Sequence, residues 1–164
     1  MTLPLTTILP EDYKDLRNEL TANYEKQSRA INGNEDRWTP VIEGSTTDGV
    51  GTYTNQIGYY YRQGLMTDVW FFITWSAHTG TGNMRVTLPL KIRRAAENFF
   101  VGELEITGLT LNANYTYATI QGENDSRLAY IMENGGGQTL QNIAVFNGAA
   151  EMRGHLRYIG QEGA

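Results

Sequence analysis

Residues 58–89 read GYYYRQGLMTDVWFFITWSAHTGTGNMRVTLP, and their centre decides what kind of protein this is. Val69, Phe71, Ile73 and Trp75 alternate with Trp70, Phe72 and Thr74. Successive side chains of a strand point to opposite faces, so this strand is apolar on both. An antiparallel sheet commonly buries one face and wets the other. A strand apolar on both sides therefore needs a second cover, from a helix of the same chain or from another subunit. The expected arrangement puts Val69, Phe71, Ile73 and Trp75 in the core and turns Trp70 and Phe72 toward a partner.

Downstream and upstream of that strand, from Trp38 to the end, Gly and Asn interrupt alternating apolar and polar residues every eight to twelve positions. That spacing predicts a β-sandwich or barrel. Strands are expected near 40–43, 50–54, 57–63, 67–77, 83–88, 99–107, 114–121, 127–133, 140–146 and 152–159. Met152, Leu156 and Tyr158 would face inward, with Arg153, His155 and Arg157 outward. No repeat of fixed period and no βαβ rhythm is present, and an antiparallel jelly-roll-like sandwich fits best. Residues 1–37 differ. Met1–Leu9 has extended character, Pro10 suits a first helical turn, and Glu11 and Asp12 suit its positive end. Tyr13, Leu16, Leu20, Tyr24 and Ile31 make one narrow apolar stripe, and Gly33 offers a stop. A helix of about 22 residues, roughly 33 Å long, is expected there. Its stripe is too thin for a core helix, which makes residues 1–37 an extended arm and a docking or trimerisation helix, with 38–164 the β domain.

Composition narrows the function. The chain has 164 residues, no cysteine, 13 Lys and Arg against 18 Asp and Glu, and a formal charge of -5. Disulfides and thiolate chemistry are excluded, and nucleic-acid binding has little phosphate-neutralising charge to work with. The start carries no basic run with an apolar run behind it, and the longest apolar run is far too short for a bilayer. The expected setting is a host cytoplasm in which the chain is built into something larger.

Candidate chemistry is sparse. The two histidines, His78 and His155, lack ligand partners at metal-binding spacing. Gly80-Thr81-Gly82 lacks the Lys-Ser or Lys-Thr pair of a phosphate loop and reads as a tight turn. Glu103 and Glu105 lie on one face of one strand, as a solvated side would, whereas glycosidase carboxylates flank a cleft. Lys91-Ile92-Arg93-Arg94 is the one dense basic run, either a solvated loop or a contact for an acidic neighbour. No catalytic, cofactor or metal site is expected.

The pattern Gly58-x-Tyr60-x-Arg62-x-Gly64, the apolar strand, then Gly80-Thr81-Gly82-x-x-x-Val86-x-Leu88-Pro89 resembles a module of tailed-phage virion proteins, notably head-decoration and fibre proteins of environmental and cyanobacterial phages. The ending Met152–Ile159 resembles that module's closing strand, and the resemblance covers about 38–159. It implies a jelly-roll-like homotrimer on a phage particle, without enzyme activity. The resulting expectation is a capsid decoration, cement or head-spike protein on the outer capsid surface. It would bind the major capsid protein or another virion protein, with Tyr13, Leu16, Leu20, Tyr24, Trp70 and Phe72 at its interfaces. The alternative is a tail-fibre tip that recognises host surface glycans through Tyr59, Tyr61 and loops near Asn124 and Gly135. Neither reading involves nucleic acid or membrane.

Overall fold

The structure is a computed structural model that describes residues 10–32, 34–94 and 100–161. Helix α1 (Pro10–Asn32) precedes eleven strands: β1 (Asn34–Trp38), β2 (Ile42–Gly44), β3 (Gly51–Gln63), β4 (Met66–His78), β5 (Met84–Thr87), β6 (Lys91–Ile92), β7 (Val101–Thr107), β8 (Tyr117–Gly122), β9 (Leu128–Asn134), β10 (Gln141–Asn142) and β11 (Ala150–Gln161). The expected class, a mainly antiparallel β domain behind a helix, is what the chain adopts. The arm at 1–9, the cap at Gly33 and the side chain of Tyr13 lie outside the described residues.

The strands form one sheet in the order β1-β3-β4-β11-β7-β8-β9-β5-β2, with β10 added beside β9 and β6 beside β11. Its first and last members, β1 and β2, are separated in sequence only by Thr39, Pro40 and Val41. The sheet therefore rolls until its two ends meet. The seam is stitched by Trp38 Nε1 donating to Thr87 O at 3.2 Å, Val41 N to Thr87 Oγ1 at 2.9 Å and Thr87 N to Val41 O at 2.9 Å. Rolling gives the sheet an inside and an outside. The inside is filled by Val69, Phe71, Ile73 and Trp75 of β4, by Met152, Leu156 and Tyr158 of β11, and by side chains of β5, β8 and β9.

β3 and β4 make the longest hairpin. Gln63 pairs with Met66 across the two-residue turn Gly64-Leu65, and Gly64 has φ +59. A two-residue hairpin with a left-handed first position favours glycine, since it lacks the Cβ that this φ strains. The strands expected at 50–54 and 57–63 are one element, with register irregularities between Thr52 and Asn55. Two phenols, Tyr158 buried and Tyr53 half-buried, brace the roll. Tyr158 Oη donates to Leu90 O at 3.1 Å and accepts from Leu90 N at 3.3 Å, and burial pushes its ionisation far above the ordinary value. Tyr53 Oη does the same for Ile42, accepting from its N at 2.9 Å and donating to its O at 3.3 Å.

Candidate functional site: a cation–aromatic wall on the outer face

The outward side chains of β1, β3, β4, β11 and β7 fall into rows set by register. One row runs Arg37, Tyr59, Trp70, His155, Glu103, each residue paired with the next on the neighbouring strand. The row beside it runs Ile57, Phe72, Arg153, Glu105. Cross-strand neighbours lie about 5 Å apart at Cβ, close enough for rings and cations to touch. They do touch. Arg37 Cζ lies 5.0 Å from the centre of the Tyr59 ring, and Arg153 Cζ lies 5.1 Å from that of Phe72. The rings of Trp70 and His155 stack with centroids 5.1 Å apart and planes 19° from parallel. A groove of about 440 Å³ runs along this face, bounded by Trp70 and Phe72 on one side and Glu103 and Glu105 on the other, with Arg153 and His155 between.

β4 is thus two-sided, as its sequence requires. Its inward residues are 5% exposed or less, whereas Trp70 is 46% exposed and Phe72 half-buried. The chain's own helix leaves its apolar stripe uncovered: Leu16, Leu20 and Tyr24 of α1 are 48%, 62% and 73% exposed.

The charges beside Trp70 are organised by Asp68, which is 7% exposed. Arg157 grips its carboxylate with two hydrogen bonds, Nε to Oδ1 at 2.7 Å and Nη2 to Oδ2 at 3.0 Å, and His155 Nε2 lies 3.4 Å from Oδ1. Burial pushes the Asp68 carboxyl up, but the bonds from Arg157 and His155 outweigh it, and the group titrates below its usual value. Arg153 is held by Glu151 at 2.7 Å and lies 3.8 Å from Glu105. What this arrangement offers chemically is a broad apolar and cationic surface with an acidic border.

The remaining sequence candidates have structural explanations. His78 is buried, its Nδ1 accepting from Gly80 N at 3.0 Å, which leaves Nε2 to donate to Ile42 O at 3.0 Å. Gly80-Thr81-Gly82 is a turn packed against 44–49, with Gly82 at φ +88. Gly58 lies under the Trp38 indole, where a Cβ would come 2.5 Å from Cε3. Tyr60 Oη donates to Asp36 Oδ2 at 3.2 Å, Arg62 Nε donates to Gly64 O at 3.0 Å, Leu88 is core and Pro89 half-buried. In the basic run, Lys91 pairs with Asp125 at 2.7 Å and Ile92 is core, while Arg93 and Arg94 are exposed. The alternative glycan platform draws on Tyr59, Tyr61 and loops near Asn124 and Gly135. Arg37 lies over the Tyr59 ring, and the two loops flank opposite ends of β9, about 20 Å of strand apart. Among the described residues, no group of three or more His, Asp and Glu side chains is placed to hold a metal ion.

Sequence reasoning missed a second buried carboxylate. Glu133, 1% exposed, accepts from Asn112 N at 2.9 Å and from the side-chain amides of Asn112 and Gln141. Burial raises its pKa, and these bonds lower it further than burial raises it. It has the inward parity of Ala129 and Ile131, so its burial was legible, but its partners come from a loop and from β10.

No protein-family model matches this chain, and no curated protein does. Among solved structures it is similar to a crystal structure of Dettilon tailspike protein, with a TM-score of 0.53 and 18% identity over 76% of this chain. The match takes in 23% of that protein, so this chain corresponds to under a quarter of it. At that identity the likeness is one of fold.

Proposed function

We propose that this chain is a structural protein of a tailed-phage virion that works as a homotrimer, with the outer face of β1, β3, β4, β11 and β7 as its association surface. The observation that carries the reading is Trp70, half exposed at the centre of a wall of aromatic and arginine side chains. Tryptophan, tyrosine and arginine dominate the energetics of protein interfaces, and a contiguous exposed patch of them marks an interaction site. The likeness in fold to a tailspike protein supports the virion setting and favours the tail as the position.

Attachment to the outer capsid surface as a decoration or cement protein is the second reading, since the resemblance of residues 38–159 takes in head-decoration and fibre proteins alike. Glycan recognition at a tail tip is compatible with the first reading and would have to use a surface other than Tyr59. The reading assigns the chain no catalytic step. Its test is mass and place: light scattering on the purified chain is expected to give three copies, and gold labelling on intact particles to decorate tails. A monomer in solution and on the particle overturns the trimer, and label on the shell selects the decoration role.

A further inference from the structure

We infer that the outer face of each β domain is covered by helix α1 of a neighbouring copy of the chain. The inference rests on the trimer reading and names the two surfaces that meet.

Both surfaces expose apolar side chains beside charged ones. Leu16, Leu20 and Tyr24 recur every four residues and span about 12 Å along the helix, beside a concavity of about 310 Å³ that they line with Arg17 and Thr21. The groove beside Trp70 and Phe72 spans three strands, from β4 across β11 to β7.

The spacing says what kind of surface the helix seeks. A coiled-coil seam alternates steps of three and four, so from Leu16 and Leu20 it would continue through Asn23 and Gln27, both polar. The exposed residues Leu16, Leu20 and Tyr24 instead take two successive steps of four, which puts Tyr24 off such a seam.

Charge fixes the direction. At 100° per residue, Arg17 flanks one side of the stripe and Glu19 the other. The wall carries Glu103 and Glu105 on its β7 side and Arg37 on its β1 side, about 19 Å apart at 4.8 Å per strand. A helix about 10 Å wide laid along β4 and β11 with Arg17 toward β7 meets opposite charge on both flanks. Turned end for end, it meets like charge on both. In the trimer this helix-to-sheet contact is heterologous, each copy's helix lying on the next copy's sheet so that three copies close a ring.

The absence of cysteine makes the test clean. Arg17→Cys and Glu103→Cys are made as separate variants, co-expressed with different tags and oxidised, and read on non-reducing gels beside light scattering. The expected result is a reducible two-chain band that carries both tags. The double variant in one chain is expected to give ladders up to three chains. Disulfides between two Arg17→Cys chains without the mixed species mean that helices pair with helices. A double variant that closes within one chain means that each helix covers its own sheet. A trimer that forms neither disulfide leaves the wall to another partner. Each of these three overturns the inference and leaves the trimer standing, whereas a monomer by light scattering overturns the trimer beneath it.

Discussion

Trp70 and His155 stack at 5.1 Å on adjacent strands of an uncovered sheet face, and the indole gives the other half of its surface to solvent. Trp75, on the opposite face of the same strand, is 1% exposed and donates from Nε1 to Phe146 O at 3.1 Å. The same residue type thus does two different jobs within six positions.

Substitution separates them. Trp75→Ala opens a core cavity and should cost about 3–5 kcal/mol in denaturant unfolding. Trp70→Ala loses one exposed aromatic pair and should cost about 1 kcal/mol or less. Trp70→Asp should keep the circular-dichroism spectrum of the β domain and abolish association measured by light scattering. A fully associated Trp70→Asp protein would return this residue to an ordinary surface role.

Acid stability should depend on Asp68 and Glu133. Each titrates below its ordinary value in the folded chain, near 3.9 for aspartate and 4.3 for glutamate. A carboxyl whose folded pKa is depressed contributes stability that is complete above its unfolded value and is lost as pH falls through the folded one. Wild-type stability should therefore drop below about pH 4. Asp68→Asn and Glu133→Gln should each flatten that drop in urea unfolding followed from pH 7 to pH 2.5. An unchanged acid limb in both variants would count against this account.

At neutral pH the two changes differ in size. Arg157 is largely exposed, so solvent screens its pairing, and Asp68→Asn should cost only about 1 kcal/mol. Glu133 lies out of solvent, and a glutamine amide there turns N–H groups toward the donors of Asn112 and Gln141. Glu133→Gln should cost about 1–3 kcal/mol and raise amide exchange in 109–116 and 141–143, with β4 unaffected.

Gly58→Ala tests the seam of the roll. Its Cβ would meet the Trp38 ring at 2.5 Å, and that ring holds β1 against β3 and donates to Thr87 O. The indole must move, at a cost of about 1–3 kcal/mol. Exchange protection should fall in residues 34–38 and in 85–87 together, because one ring links edge strand β1 to the end of β5.

Much of this fold can be read from the chain. Period-two alternation places most strands within a few residues and puts Met152, Leu156 and Tyr158 inside with Arg153, His155 and Arg157 outside, as observed. Strand β1 is missed because Asn34-Glu35-Asp36-Arg37 carries no apolar alternation. It is an edge, where charge protects against stray pairing. The wall is legible only in halves. Parity turns Trp70, His155 and Glu103 outward, yet their row depends on β11 lying between β4 and β7, an adjacency between residues 52 and 85 positions apart. Alternation along a strand carries no information about which strand lies beside it.

That position of β11 also bears on how the chain is made. The strand formed from residues 150–161 is hydrogen-bonded on both sides, to β4 and to β7, so an inner strand of the sheet is made after every strand it joins. Until it arrives, β1, β3 and β4 share no ladder with β7, β8, β9, β5 and β2, and the hydrophobic side of β4 has no β11 to pack with. The two halves of the sheet therefore share no ladder in the nascent chain until residues 150–161 have been made.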